Sequence, residues 1–208
     1  MSKTNQEIEA KFYVNNLGKI TKRLHELGAR LIQARILETN IRFDLPDASL
    51  RSERRVLRLR HDTEARLTYK DPSQDEQGVL SRREIEFTVE DFDKAREFLQ
   101  ALGFQPIFYY EKYRTTYSLQ TSEVLTHVML DELPYGNFVE IEGDSLDPIQ
   151  TVADKLQLKW DTAIGKSYSA LFDQTRKTLN FSFQDLSFTN FVGIRVTPSH
   201  LGVLAADE

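Results

Sequence analysis

The feature that most restricts this chain is a strict alternation of charged and apolar residues, repeated in one short segment after another. In Glu7-Ile8-Glu9-Ala10-Lys11-Phe12 every odd position is charged and every even position is apolar. Period two is the repeat of an extended strand, whose successive side chains point to opposite faces. Glu7, Glu9 and Lys11 therefore share one face, each ~7 Å from the next. Arg58 and Arg60 alternate in the same way with Leu57 and Leu59, and Thr68 and Lys70 with Leu67 and Tyr69. Glu84-Ile85-Glu86 and Glu140-Ile141-Glu142 repeat one triplet, and Lys112 and Arg114 share a face of their own segment.

A polar strand face is ordinarily the wet side of a sheet, with Ser, Thr, Lys and Gln of mixed length. Here the face carries pairs of like charge at i and i+2. At ~7 Å such a pair repels by about 2 kcal/mol for an effective dielectric of ~20. A chain that keeps assembling these pairs is expected to neutralise them with ligands, the acidic pairs with a cation and the basic pairs with a polyanion.

The alternation predicts strands near residues 6–14, 35–44, 55–62, 64–71, 80–90, 105–118, 124–132 and 137–144. Helical spacing appears between Asn16 and Leu27, with Leu17, Ile20, Leu24 and Leu27 on one side and Gly28 as a stop. It returns after Asp91, a candidate N-cap, through Phe92, Ala95, Phe98, Leu99 and Leu102, and again over 148–156 and 164–176. Residues 45–55 and 72–78 read as loops. Eight strands suffice to close a barrel. The expected architecture is α+β: a closed antiparallel eight-stranded barrel with a polar, charged lumen, surrounded by helices. That lumen would hold Glu7, Glu9, Glu84, Glu86, Asp131, Glu140 and Glu142 together with Lys11, Arg58, Arg60, Lys70, Lys112 and Arg114. The barrel domain is expected over 1–176. The extension over 177–208 carries Phe181, Phe183, Phe188 and Phe191, too many aromatics to leave in water, and is expected to pack on the barrel or on a partner subunit.

Composition narrows the chemistry. With 208 residues, 40% hydrophobic and 28% charged, the chain is globular in balance. Having no cysteine, it has no disulfide, thiol nucleophile or thiolate metal site. A net charge of −5 argues against a nucleic-acid partner, although it leaves room for a buried basic pocket. No stretch approaches the ~20 apolar residues of a membrane span, and the N-terminal segment lacks the apolar core of a signal peptide; a cytoplasmic protein is expected. His25, His61, His127 and His200 stand isolated and read as surface or packing residues. Carboxylate-only donors suit Mg²⁺ or Mn²⁺ rather than Zn²⁺, and the planar fork of Arg suits phosphate oxygens. Gly165-Lys166-Ser167 looks like the end of a P-loop, but Trp160 stands where that motif needs its first glycine.

The ordered series of these motifs resembles the CYTH superfamily, the triphosphate tunnel metalloenzymes. It begins with Glu7-x-Glu9-x-Lys11 and runs through Asn40-x-Arg42-Phe43-Asp44, Leu57-Arg58-Leu59-Arg60, Thr68-Tyr69-Lys70, Glu84-x-Glu86 and Lys112-x-Arg114. It continues with Asp131, Gly136, Glu140-x-Glu142 and Gly165-Lys166-Ser167-Tyr168. The resemblance implies metal ligation by Glu7, Glu9, Asp131, Glu140 and Glu142, with Glu84 and Glu86 in support. It implies a triphosphate held by Lys11, Arg58, Arg60, Lys70, Lys112, Arg114 and Lys166, with Lys11, Glu9 and Lys70 closest to the chemistry. It also implies Mg²⁺ or Mn²⁺ as cofactor, a triphosphate-containing small molecule as substrate and compatibility with a homodimer. Class IV adenylate cyclases and thiamine triphosphatases belong to that superfamily, and Leu130–Glu140 looks closest to the cyclase-like branch. A triphosphatase, or a tunnel that binds polyphosphate without turning it over, fits the same skeleton. Arg42 departs from the pattern, which often has an aromatic or acidic residue there. Tyr110 shares the Lys112 face, where it could stack on a base or simply pack.

Overall fold

A computed structural model describes residues 6–76, 78–121 and 124–208. Its strands are β1 (Gln6–Val14), β2 (Arg30–Asp44), β3 (Val56–His61), β4 (Ala65–Lys70), β5 (Gln74–Glu76), β6 (Val79–Val89), β7 (Gln105–Thr121), β8 (Val124–Leu133) and β9 (Gly136–Glu142). The helices are α1 (Leu17–Glu26), α2 (Ser49–Ser52), α3 (Phe92–Ala101), α4 (Leu146–Lys155), α5 (Tyr168–Leu179) and α6 (Pro198–Leu201). No helix is long and apolar enough to cross a membrane among the described residues.

Eight antiparallel strands close into a ring in the order β1-β9-β8-β7-β2-β3-β4-β6, with β6 pairing back onto β1 and the short β5 lying on β6. The ring is two meanders. One runs β2-β3-β4-β6 and the other β7-β8-β9; β2 and β7 join them, and β1 closes the gap. The eight expected strands are present. β2 begins earlier than the alternation indicates, because its first half is broken by register shifts at Leu31/Gln33 and Gln33/Ile36 that interrupt period two. The two expected loops are not bare. β5 lies within the second, and α2 within the first, where the Asp44 carboxylate accepts N–H bonds from Leu45, Leu50 and Arg51.

The apolar faces of the strands point outward and meet the helices. Asn16 caps α1, its side chain accepting the Lys19 N–H at 3.1 Å. Ile20 and Leu24 of α1, and Ile149, Val152 and Ala153 of α4, cover Ala10, Phe12, Val128, Leu130, Val139 and Ile141. Fully burying one such side chain contributes roughly 1.5–3 kcal/mol. The principal core thus lies outside the ring and leaves the inner face to the charges. α3, capped by Asp91, covers β2 and β3 through Leu99 against Phe43, Leu57 and Leu59.

A second cluster seals one end of the ring. The face of β1 that carries Glu7, Glu9 and Lys11 ends in Tyr13, which is opposite Phe138 of β9. Tyr13 and Phe138 pack with Tyr135, Tyr168, Phe172 and Phe191. The extension completes this cluster: α5 runs to Leu179, past the expected boundary at 176, and Phe181, Phe183 and Leu186 pack with it. Leu186 also bridges to β7, its N–H donating to the Tyr109 carbonyl and its carbonyl accepting from the Glu111 N–H. Gly136 opens β9 at φ 147°, where a Cβ would fall 2.6 Å from the Tyr13 ring, so only glycine fits. At the far end of the chain, the Asp207 carboxylate accepts the N–H groups of Asn15 and Asn16, which staples the last residues to the exit of β1.

Candidate active site

The ring encloses a cavity of about 560 Å³. From β1 and β9 it is lined by Glu7, Glu9, Lys11, Glu140 and Glu142, and from β4 and β6 by Lys70, Arg82, Glu84 and Glu86. From β2, β3 and β7 come Arg42, Arg58, Arg60, Tyr110, Lys112 and Arg114, and from the start of α5 Ser167, Tyr168 and Ser169. The alternation therefore brings together twelve of the thirteen expected lumen residues.

Asp131 is the thirteenth, and it is placed differently. It is fully buried, on the inward face it shares with its register partner Arg114. Arg114 donates to both of its oxygens at 2.6 Å, Lys112 to Oδ2 at 3.0 Å and the Tyr168 hydroxyl to Oδ2 at 2.9 Å. Cations hold it here just as Lys70 and Arg82 hold Glu7 and Lys11 holds Glu140. Lys166 does not reach the cavity either. It is exposed, and its ammonium donates to Gln174 Oε1 at 2.9 Å. The helix there begins at Tyr168 and not at 164, so Lys166 lies in the irregular stretch between the buried Ile164 and the helix.

Strand register decides which charges meet, because residues opposite each other share a face. Lys11 stands opposite Glu140, Lys70 opposite Glu84, Glu7 opposite Arg82, and Glu38 opposite Lys112. Each pair is in contact. Lys11 Nζ lies 3.1 Å from Glu140, and Lys70 Nζ sits 2.8 Å from Glu7 and 2.7 Å from Glu84. Arg82 Nε donates to Glu7 at 2.9 Å, and Arg60 to Glu86 at 2.9 Å. Arg114 also pairs with Glu140. Much of the repulsion expected within each strand is thus answered by a counter-charge on the next strand before any ligand arrives.

These pairings set the protonation states. Burial alone would raise Glu140, but Lys11, Arg114 and Lys112 hold it well below the usual carboxylate range. Glu7 is likewise held down, against burial, by Lys70 and Arg82. Lys11 is raised, since Glu140 and Glu9 outweigh its burial, so its ammonium stays charged. Glu38, only 1% exposed, is held low by Lys112, Arg114 and Arg60 against its burial. Glu38 and Arg82 were missed in the sequence, although Arg82 shares the period-two face of Glu84 and Glu86.

Three like-charged pairs stand opposite each other in register among the described residues, one of them Arg60 and Arg66, where Glu86 lies 2.9 Å from Arg60 and Asp62 2.9 Å from Arg66. In the other two, Glu9 faces Glu142, and Arg42 faces Arg58. Glu142 has no cation within 4.0 Å among the described residues. Burial first, then the charges of Glu7, Glu9 and Glu84, push it up to about 7. Glu84 is likewise pushed up to about 7 by burial and by Glu7, with Lys70 opposing. Oxygen-only donors crowded until two of them hold protons near neutrality fit a hard divalent cation. No group of three metal-ligating side chains is already gathered among the described residues. At the arginines of β2 and β3, the buried Nε atoms of Arg42, Arg58 and Arg60 have no hydrogen-bond partner.

An antiparallel ring of strands that gathers carboxylates and guanidinium groups into one cavity defines the architecture. The CYTH domain model matches residues 5–168, and the chain belongs to that family. A protein of Methanocaldococcus jannaschii, provisionally named an adenylate cyclase, is 28% identical over 176 residues, covering 79% of this chain and 97% of that one. A structure from Vibrio parahaemolyticus with the same provisional name superposes with a TM-score of 0.69 at 20% identity, over 80% of this chain and 97% of the other. A Hippeastrum protein, described as an adenylyl cyclase candidate with a dominant triphosphatase activity, superposes with a TM-score of 0.60 at 17% identity, over 80% and 95% of the two chains.

Proposed function

We propose that this protein is a divalent-metal-dependent enzyme that holds a triphosphate inside a polar, charged barrel and acts at phosphorus, in the manner of a class IV adenylate cyclase. The observation that carries the reading is the pair of unmatched corners in a single cavity: Glu9 opposite Glu142, and Arg42 opposite Arg58. A metal–triphosphate complex presents the complementary charges, cation at one end and anionic oxygens along the rest.

Glu7, Glu9, Glu140 and Glu142 would hold Mg²⁺ or Mn²⁺, with Glu84 and Glu86 in support. When bound, such an ion neutralises phosphate oxygens and polarises the bond to be broken. Lys11, Lys70, Lys112, Arg58, Arg60 and Arg114 would turn from their carboxylate partners to the phosphate oxygens. Lys11 stays protonated, so it stabilises developing charge rather than accepting a proton. Glu142, raised to about 7 by burial and its acidic neighbours, would give up its proton in favour of the cation it helps to hold. In the cyclase reaction the ribose 3′-oxygen bonds to the α-phosphorus, its proton passes to a carboxylate, and the bond to the leaving pyrophosphate breaks.

Hydrolysis is the second reading, in which water attacks a terminal phosphorus. It is favoured by the cavity lining, whose aliphatic members among the described residues are Val56, Leu80 and Met129. The two tyrosines are already engaged: Tyr110 stacks on Phe108 at 5.5 Å, and the Lys11 ammonium lies 4.5 Å above the Tyr168 ring. An adenine would find little free surface. The test is a product assay with ATP, thiamine triphosphate and tripolyphosphate in Mg²⁺ and in Mn²⁺. Cyclic AMP with pyrophosphate supports the first reading and orthophosphate the second. Tight tripolyphosphate binding with no product would make the protein a binding module instead.

A further inference from the structure

One stretch of the ring wall has an open edge. β2 pairs with β7 from Arg30 to Asp44, but β3 meets it only from Thr39 to Phe43. Among the described residues no strand pairs with the other edge of β2 between Arg30 and Glu38. An open edge offers its backbone N–H and C=O groups to any strand that fits it. This one also offers apolar side chains, with Leu31 50% exposed, Ile32 46% and Leu37 39%. Soluble proteins blunt such edges with lysine or proline, and neither occurs between Arg30 and Glu38. Two register shifts bend β2 here, which discourages open-ended stacking of strands, yet the apolar side chains remain in water.

The order of residues along the edge says what covers it. Arg30-Leu31-Ile32-Gln33-Ala34-Arg35-Ile36-Leu37-Glu38 has nearly the same character read in either direction from Ala34. Laid antiparallel on a copy of itself with Ala34 on the two-fold axis, Leu31 meets Leu37, Ile32 meets Ile36 and Gln33 meets Arg35. Arg30 comes toward Glu38, whose carboxylate already lies 3.6 Å from Lys112, so the apolar pairs carry the match. Each pair occurs twice, and none sets like charge against like. The smallest side chain stands on the axis, where the two chains approach most closely. A second copy of this chain has the complementary order by construction, and a strand from another protein would have it only by coincidence.

We propose that residues 30–38 of β2 form a self-recognition edge, along which two copies of this protein lie antiparallel with Ala34 on the two-fold axis. The pairing buries Leu31, Ile32 and Leu37 of both copies and uses up both edges, so the assembly closes at two. It does not depend on what the cavity binds. The exposed apolar side chains Phe98 and Leu102 of α3 lie outside this edge and serve as a control surface.

Sedimentation velocity on the full chain is expected to show a dimer. Ala34→Glu and Ala34→Lys each set like charges against each other on the axis, and each is expected to weaken the dimer at least about tenfold. Mixing the two variants turns repulsion into attraction and is expected to restore it, which also shows that both have folded. Because the chain has no cysteine, Ala34→Cys supplies a single thiol. Mild oxidation should join two such copies through a disulfide, and Phe98→Cys should give no such link. A monomeric wild type overturns the proposal, whether the edge then stays bare or takes a strand of another protein. A dimer that survives both charged variants, or that links through Phe98→Cys and not through Ala34→Cys, uses a different surface and overturns it as well.

Discussion

The acidic corner and the basic corner of the cavity face the same problem and solve it differently. Glu9 and Glu142 stand opposite each other on β1 and β9, as Arg42 and Arg58 do on β2 and β3. A carboxyl can discharge repulsion by keeping a proton, and Glu142, pushed up to about 7, does so. A guanidinium holds its proton at any ordinary pH, so Arg42 falls back on the neutral Ser169 hydroxyl, and Arg58 on Tyr110, Thr68 and an ion pair with Glu86 at 3.6 Å. The acidic corner is therefore pH-dependent and the basic corner is not. Both differ from the matched walls between them, where Lys112 and Arg114 grip Asp131 and are satisfied without a ligand.

The largest effect that would sharpen this contrast belongs to a matched residue. Asp131→Asn leaves Lys112 with Glu38 and Arg114 with Glu140 but removes the charge they share, and is expected to cost about 2–3 kcal/mol in urea unfolding. A small loss would mean that Asp131 is not the anchor. Next comes Glu9→Gln at the acidic corner. Its ion pairs with Lys11 and Arg82 are both long, at 3.8 Å, so the fold should hold while turnover falls ~10²–10³-fold. Wild-type kcat in that variant would remove Glu9 from the site.

Glu142→Gln should run the other way on stability. Because the folded carboxyl titrates at about 7 against an ordinary 4.5, the folded state keeps a proton that the unfolded chain has already released. Stability is lost as pH rises from 4.5 to 7, and the full cost is present above 7. The variant should therefore be more stable than wild type at pH 8 without metal, by on the order of 1–3 kcal/mol, and equal to it near pH 4. It should also bind Mn²⁺ more weakly. Equal melting at both pH values would show that the corner is not crowded. The smallest effect is expected for Lys166→Ala. A solvent-facing ammonium on Gln174 should leave kcat/KM within about twofold of wild type.

How far the sequence could be read follows from what each feature depends on. The inner faces were legible because period two is a local property: Glu7, Arg58, Lys112 and Glu140 point inward for the same reason in four separate strands. Register is not local. Nothing within Glu140-Ile141-Glu142 reveals that Lys11 lies opposite its first residue and Glu9 opposite its last, so matched and unmatched charges could not be told apart. Glu38 shares the period-two face of Asn40 and Arg42 but has no like-charged neighbour two residues away to mark it, and the partners of Asp131 come from β7 and α5. Lys166 was misplaced by a helix start set four residues early. The aromatic extension announced that it must pack somewhere; its place against Tyr13, Phe138 and Phe172 depends on the finished ring.

The closing strand has a consequence for how the molecule comes into being. Each meander can form from neighbours in the chain, but β1 finds its two partners in β6 and β9, and Glu9 meets a residue more than 130 positions downstream. Contacts of that separation are entropically the last to be rewarded. The acidic corner therefore does not exist until synthesis has passed Glu142 and the first strand has slotted home. A nascent or half-refolded chain would carry the basic pair without its counterpart, so competence for the divalent ion should appear in refolding only with the final, slowest phase.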